Sequence, residues 1–269
     1  MGKPSPASRR AALAAQREAE VRAARRTRLI SVALGGILAL ALVIGLGVWW
    51  NQKNKPAPTS TVTTTGAQLA APSATKDGSG MVLAKTPTGK PTLVIYEDYQ
   101  CPWCKVAADS LGTAERALAA KGEIGIEVHS ITLLDQMLKN DSSQRANVAA
   151  TCADVVGKYV AYHDHAFASQ PEKEGTGYTD AQLRGDFATA AGISGADLPR
   201  FQACYDQRQT EDATQKVLDA AKAAGRDGSS PTYFVRSAAG TEKELDIQAW
   251  LKGQQPSEAD LLAAIKAAA

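Results

Sequence analysis

The apolar and polar positions divide the chain into a long apolar stretch near the N-terminus, a polar stretch and a longer patterned region. Residues 29–50 run for 22 positions without a charge. At about 1.5 Å per residue, a helix of this length crosses the ~30 Å hydrocarbon core of a bilayer. Residues 1–28 carry eight lysines and arginines against two glutamates, a bias typical of the cytoplasmic side. The pattern predicts a basic cytoplasmic tail over 1–28 and a single transmembrane helix over 29–50, with the rest of the chain extracytoplasmic.

A cleaved signal peptide is the alternative for residues 29–50. The apolar region of a signal peptide is usually about 7–15 residues and leads into a small-residue cleavage site. Here the apolar stretch is longer, and the first suitable small residues lie beyond Lys53 and Lys55. Both interpretations export the rest of the chain. Residues 51–78 are rich in Pro, Thr, Ser, Ala and Gly, which predicts a flexible linker.

Residues 79–269 show the periodicities of one α/β domain. The apolar run Thr92–Glu97 predicts a buried strand, and apolar positions at helical spacing over 102–120 predict a helix. Alternation over 124–131 predicts a second strand. A strand, a helix and a strand in this order form a right-handed unit whose strands are parallel.

Helical periodicity dominates the next hundred residues, and two strands and a helix close the domain. The predicted helices cover 142–168 (one long or broken helix), 179–191, 196–207 and 210–224. The later elements are a strand over Thr232–Arg236, a shorter strand over 244–247 and a helix over 257–268.

The charge balance differs between the tail and the domain. The whole chain has a formal net charge of +2, but residues 78–269 hold 19 lysines and arginines against 25 aspartates and glutamates, a net charge of −6. The basic excess therefore belongs to the tail, where membrane topology explains it. We predict no nucleic-acid binding.

Cys101 and Cys104, separated by Pro102 and Trp103, directly follow the first predicted strand. A thiolate at a helix start is stabilised by unpaired backbone N–H groups and by the positive end of the helix dipole. Pro102 suits the first helical position, which needs no donor, and Trp103 offers an apolar surface to an unfolded substrate. The tetrapeptide predicts a redox-active disulfide, with Cys101 as the exposed nucleophile and Cys104 buried one turn inward.

Two further cysteines, Cys152 and Cys204, remain once this pair is set aside. In an oxidising compartment two spare cysteines usually form a bridge, so we predict a structural disulfide. Two free thiols or a second catalytic couple are the alternatives.

A zinc site is a competing interpretation of the cysteines. Zinc needs three or four ligands, and the other candidates, His129, His163 and His165, are far from the cysteine pair in sequence. Positions 163 and 165 do not share a helix face. We predict no metal and interpret the histidines as surface or helix-packing residues.

Taken together, these features resemble the DsbA-like branch of the thioredoxin superfamily, as found in exported actinobacterial thiol-disulfide oxidoreductases. The matching stretches are residues 94–104, 152–167 and 228–235. The resemblance implies a thioredoxin fold with a helical subdomain inserted at about 139–225. It also places both spare cysteines on packed helices of that insert.

The resemblance assigns roles to Ser230 and Pro231. In that family the proline at the head of the later strand is cis and lies beside the redox pair, and the residue before it offers backbone groups to an extended substrate. The alternative is that this proline only begins a strand. Many thioredoxin-fold enzymes also have a buried carboxylate six residues before the first cysteine, where this chain has Ile95. The nearest acidic residues are Glu97 and Asp98.

The implied activity is that of a dithiol oxidase. It would introduce disulfides into reduced or unfolded exported proteins, with no cofactor besides the disulfide between Cys101 and Cys104. A membrane quinone-linked enzyme, DsbB-like or vitamin-K-epoxide-reductase-like, would reoxidise it. The alternatives are a reductase or isomerase of the same fold and a non-catalytic module that binds exported clients.

Overall fold

The computed structural model describes residues 66–269. The predicted tail and anchor, and the linker as far as residue 65, lie outside the described residues. Among the helices of the described part, none is both long and apolar enough to span a bilayer.

Residues 66–269 form five strands, nine α-helices and one π-helical segment. The strands are β1 Met81–Ala84, β2 Thr92–Glu97, β3 Gly125–Ser130, β4 Thr232–Arg236 and β5 Glu242–Glu244. The helices are α1 Pro102–Ala120, α2 Leu133–Leu138, α3 Ser142–Val155, α4 Tyr159–Ala168, α5 Phe187–Ala190, α6 Asp197–Asp206, α7 Glu211–Ala223, α8 Gln248–Leu251 and α9 Glu258–Ala268. The π-helical segment Gln182–Asp186 leads directly into α5.

The five strands form one mixed sheet in the order β1-β3-β2-β4-β5. β2 pairs with β3 in parallel, from Thr92 opposite Gly125 to Glu97 opposite Ser130. The other pairings are antiparallel. The predicted strand-helix-strand unit with parallel strands is therefore confirmed. All six residues of β2 are buried, as expected for a central strand covered on both faces.

Alternation along β2 divides the sheet core between its two faces. Leu93 and Ile95 pack in a cluster with residues of α1, α8 and α9, while Val94 and Tyr96 pack with Ala221 of α7. The thioredoxin-like arrangement of helices on both faces of the sheet follows from this period of two.

The helical insert packs around Cys152 and Cys204, which form a disulfide between α3 and α6, in a core that extends to Tyr99, Cys101 and Cys104. Both bridged cysteines are fully buried among apolar and aromatic side chains that include Tyr162, Phe167 and Phe201. The bridge closes a loop of 52 residues in sequence.

The last part of the segment predicted as a linker lies against this insert. The Leu69 N–H donates to the Gln209 carbonyl at 2.6 Å, and the Ser73 N–H donates to the Asp154 carboxylate at 2.7 Å. Ala71 is buried, and Ala74 forms a β-bridge with Met81. Small and apolar side chains within an otherwise polar stretch make this packing possible.

Of the two alternatives predicted for 142–168, one long or one broken helix, the structure has the broken one: α3 and α4 are separated by a turn in which Gly157 has a φ of +70°. One predicted element differs in the structure. The strand predicted over 244–247 is β5, which ends at Glu244. The apolar pattern that suggested it comes from Leu245 and Ile247, whose side chains are buried beyond the end of the strand. β1, α2 and α8 have only four to six residues each, too few for their periodicity to be visible.

Replacing both Cys152 and Cys204 with alanine should lower the free energy of unfolding by about 3–4 kcal/mol, because the bridge restricts the unfolded chain over 52 residues. Urea unfolding of the full-length variant and of the wild type measures this difference. A Cys101→Ser, Cys104→Ser variant is the control, since a bridge between these residues closes a loop of only about four residues and its loss should cost about half as much. Equal stabilities of the wild type and the alanine variant would contradict a stabilising role for the bridge.

Candidate active site

The two cysteines of the tetrapeptide lie where β2 leads into α1. Cys101 is the N-cap of α1, with φ −75° and ψ 117°, and Pro102 occupies the first helical position. The Cys101 carbonyl accepts hydrogen bonds from the N–H groups of Cys104 and Lys105 at 3.1 and 3.2 Å. Both thiols are free in this structure, so it represents the reduced couple.

The exposure of the site differs from the prediction at Cys101. This residue is only 6% exposed, against 3% for Cys104, whereas Trp103 between them is 55% exposed. Cys101 is enclosed because the chain around Ser230 crosses directly in front of it, a contact that local sequence does not reveal.

The Ser230–Pro231 peptide bond is cis, and this turn adjoins Cys101. The Cys101 sulfur lies 3.4 Å from the Ser230 carbonyl oxygen, although the two residues are 129 positions apart in sequence. β4 begins at Thr232 and pairs with β2 along its whole length, which brings the two segments together. Proline has no N–H, so Pro231 donates no backbone hydrogen bond at this turn.

A groove of about 740 Å³ runs from this turn along the chain between β4 and α8. Its apolar lining includes Trp103, Pro231 and three side chains from the segment after β5: Leu245, Ile247 and Leu251. Carboxylates of Glu244 and Asp246 and the amine of Lys252 also line it. The groove is therefore mostly apolar, with a few charged side chains along it.

The two thiols of the pair have opposite acidities. The pKa of Cys101 is lowered to about 6, chiefly because Cys104 donates a hydrogen bond to its sulfur. Burial opposes this effect, while Ser230 and the backbone N–H groups of Trp103 and Cys104 add to it. The pKa of Cys104 is raised well above its ordinary value, first by burial and then by its donation to Cys101. At neutral pH the couple therefore holds one thiolate, on Cys101.

Asp98 holds the loop between β2 and α1 in place. Its buried carboxylate accepts from the Gln100 N–H at 2.8 Å, the Leu134 N–H at 2.9 Å and the Ser143 hydroxyl at 2.5 Å. Its own N–H donates to the Cys104 sulfur at 3.4 Å. Burial raises the pKa of Asp98 to about 6, although these donors oppose the shift. Asp98 therefore ties the cysteine loop to α2 and α3.

A cleft of about 460 Å³ lies behind Cys104, between α1 and α4. Within it the His163 ring contacts Glu97 at 2.7 Å through Nε2. Burial works against the charged ring, but Glu97 and Asp164 together outweigh it and raise the pKa of His163 to about 9. His163 thus packs in a helix, as predicted, but as one half of a buried ion pair beside the second cysteine.

The other two histidines lie away from the cysteines. His129 is buried and stacks on Tyr96 with ring centroids 4.6 Å apart, and burial lowers its pKa to about 4. His165 contacts the Ser169 hydroxyl. Among the described residues, no group of three or more His, Cys, Asp or Glu side chains is arranged to hold a metal ion.

One buried carboxylate of the cleft was missed in the sequence. Glu115 lies on α1 and is 5% exposed. The sequence pattern could have indicated its burial, since Glu115 falls between Leu111 and Leu118 on the apolar face of that helix. A charged residue on a core-facing stripe is unusual enough to mark a site.

A mixed sheet with two cysteines at a helix start, beside a cis-proline, defines the class of thiol-disulfide oxidoreductases with a thioredoxin fold. The chain belongs to the Thioredoxin_4 family, described as thioredoxin, whose sequence profile matches residues 80–252. This family membership confirms the resemblance to DsbA-like thiol-disulfide oxidoreductases that the sequence predicted. No curated protein matches the chain.

Three solved structures illustrate the fold that the chain shares. MdbA from Actinomyces oris, a thiol-disulfide oxidoreductase, aligns with a TM-score of 0.55 and 18% identity over 76% of this chain and 93% of its own. MdbA from Corynebacterium diphtheriae, also a thiol-disulfide oxidoreductase, aligns with a TM-score of 0.53 and 20% identity over 72% of this chain and 94% of its own. BdbD from Bacillus subtilis, in its oxidised form, aligns with a TM-score of 0.54 and 18% identity over 74% of this chain and 97% of its own. At these identities the likeness establishes the fold.

Alkylation of the reduced full-length chain should reveal the acidity of Cys101. The rate of iodoacetamide labelling at this residue should rise with a midpoint near pH 6, because the thiolate is the reactive form. In Cys104→Ala the midpoint should move up towards 9, since the chief donor to the Cys101 sulfur is lost. Cys104→Ser, which keeps a donor, is the matched control. An unchanged midpoint in Cys104→Ala would contradict the assigned cause.

Proposed function

We propose that this protein is a dithiol oxidase that introduces disulfide bonds into exported proteins through Cys101 and Cys104. The observation that carries the proposal is the geometry of the pair: Cys101 caps α1 beside the cis Ser230–Pro231 turn, and Cys104 is buried one turn inward. The opposite acidity of the two thiols follows from this geometry. A couple whose reduced form is stabilised as a thiolate is a better oxidant. At pH 7 a thiol with a pKa of about 6 is mostly ionised, and this ionisation favours the reduced form of the couple.

The reaction begins with the couple as a disulfide. A substrate thiolate attacks the Cys101 sulfur, and the bond between the two cysteines breaks with its electron pair on Cys104. A mixed disulfide then joins the substrate to Cys101. A second substrate thiolate attacks the substrate sulfur of that bond and releases Cys101 as a thiolate. The substrate loses two electrons and gains a disulfide, and the couple gains both electrons.

The groove beside the cis turn supports this role for Ser230 and Pro231. An extended substrate lying in it would place a cysteine next to Cys101, pair with backbone groups of Ser230 and rest its apolar side chains on Trp103 and Leu245. Such segments are exposed in reduced, unfolded chains and buried after folding. This preference suits an enzyme that acts on proteins during their folding.

We infer the cellular location of the reaction from the transmembrane anchor predicted over 29–50. An extracytoplasmic domain tethered to the membrane would stay close to a membrane enzyme that returns its electrons to quinone, DsbB-like or vitamin-K-epoxide-reductase-like. No bound cofactor is required in this proposal, because the disulfide itself accepts the electrons.

The test is oxidation of reduced ribonuclease by the oxidised full-length chain, followed by recovery of ribonuclease activity. The wild type should transfer its disulfide and Cys101→Ser should not, because the sulfur that forms the mixed disulfide is lost. Cys152→Ala, Cys204→Ala is the control and should retain transfer. Ribonuclease oxidation by Cys101→Ser would refute the mechanism.

The direction of the reaction is measured separately, by equilibrating the couple with glutathione. An oxidase should have a reduction potential of roughly −120 to −180 mV, well above that of the cytosolic glutathione pool. A value near −270 mV, typical of a reductant, would reassign the protein as a reductase of the same fold.

A further inference from the structure

The chain returns from the helical insert to the sheet through a short segment, residues 225–231, between the end of α7 and the start of β4. Ser229, Ser230 and Pro231, at the end of this segment, form one wall of the substrate groove. The same wall encloses the nucleophile, because the Ser230 carbonyl oxygen lies 3.4 Å from the Cys101 sulfur. The position of the segment therefore determines how far Cys101 is covered.

The wall has few contacts of its own to hold it in place. In the part of the chain that the structure describes, Gly228 and Ser229 are exposed and form no hydrogen bond, and the only polar contact of Ser230 is the one with Cys101. Downstream, the segment continues into β4, whose first residue, Thr232, pairs with β2. A short loop with so few contacts is positioned by its two ends.

The upstream end is anchored by Arg226, whose side chain lies on the sheet face that α7 covers. Its guanidinium carbon is 3.7 Å from the centre of the Phe234 ring and 5.4 Å from the centre of the Tyr96 ring. Its Nη1 atom donates to the Glu242 carboxylate at 2.5 Å. These partners belong to β4, β2 and β5, so one side chain joins the end of α7 to three strands. A flat guanidinium can stack on a ring and donate in its own plane at the same time.

We propose that Arg226 is a positioning residue for the active site: it holds the upstream end of residues 227–230 against the sheet and thereby keeps the Ser230 wall in front of Cys101. Its side chain contacts the sheet, so it acts on the cysteine through the segment that follows it. The inference rests on the proposed function only in taking this wall as part of the substrate groove. It concerns access to the thiol and not the direction of exchange.

A second arginine on the sheet separates this role from general stabilisation. Arg236 of β4 also pairs with Glu242, at 2.7 Å, and reaches Glu127 of β3 at the same distance. It lies at the opposite end of β4 from Thr232 and does not line the groove. The two arginines therefore share a carboxylate, but only Arg226 leads into the wall.

The test is iodoacetamide labelling of Cys101 in the reduced full-length chain at pH 8, where its thiolate is formed, followed by mass spectrometry of the Cys101 peptide. Cys101 is only 6% exposed, so the reagent reaches it when the wall moves aside. Arg226→Met keeps a long side chain but loses the ion pair and the stacked charge. Its labelling rate should rise about two- to fivefold, the factor by which a lost cation–ring contact shifts a local opening equilibrium.

The acidity of Cys101 should not follow the change in access. The pH midpoint of labelling in Arg226→Met should stay near 6, because Cys104, the chief donor to the Cys101 sulfur, is unchanged. Arg226→Lys keeps a positive charge for Glu242 but has no flat group to stack on Phe234. Its labelling rate should lie between those of the wild type and Arg226→Met.

Arg236→Met is the matched control, since it also removes a partner of Glu242 on the sheet. It should lower the stability to urea as Arg226→Met does, but it should label like the wild type.

A wild-type labelling rate in Arg226→Met, or an equal rise in Arg236→Met, would overturn the proposal. If Arg226→Met does not fold, Phe234→Leu decides, because it removes the stacked ring and leaves the arginine; a wild-type rate there would contradict the assigned anchor. Labelling uses a small reagent and the reduced chain, so it does not depend on disulfide transfer. Failure of the proposed function would show separately, as a wild-type chain that does not oxidise ribonuclease while the labelling results hold.

Discussion

The site depends on the three hydrogen bonds that converge on the Asp98 carboxylate. They fix the end of the central strand against the starts of α2 and α3, and thereby join the sheet to the helical insert. The same residue directs its N–H at the Cys104 sulfur. Because one residue makes both sets of contacts, through its backbone N–H and its carboxylate, the position of the inner thiol is fixed relative to the insert as well as to its own helix. A buried polar group fully supplied with donors holds such a junction in one arrangement.

The chemistry of the couple arises from short-range effects at this junction. A helix start, a thiol one turn inward and the cis turn in front supply the donors that favour a thiolate on Cys101. Burial denies the same stabilisation to Cys104. The positively charged His163 is already balanced by Glu97. The acidity of Cys101 therefore needs no positively charged neighbour, which agrees with a tryptophan between the cysteines.

The parts of the site that the sequence predicted are those encoded locally. The apolar run of β2 and the spacing of Cys101 and Cys104 are visible within a dozen residues. Cys101 is enclosed by Ser230, which lies 129 residues away in sequence. The residues next to Cys101 in sequence therefore could not predict its low exposure. His163 looked like a packing residue because its partner, Glu97, lies on another element. Glu115 was detectable as a charge on an apolar helix face, but its contact with Tyr233 of β4 depends on how α1 lies on the sheet.

The burial of the Cys152–Cys204 bridge has a consequence for selectivity. A protein that exchanges disulfides with others must not exchange with the one that holds it together. Both sulfurs lie within the core of the insert, with no surface exposed to an incoming thiolate. Burial therefore distinguishes the structural disulfide, Cys152–Cys204, from the disulfide of Cys101 and Cys104, which exchanges with other thiols. The molecule can react with thiols without exchanging its own structural bridge.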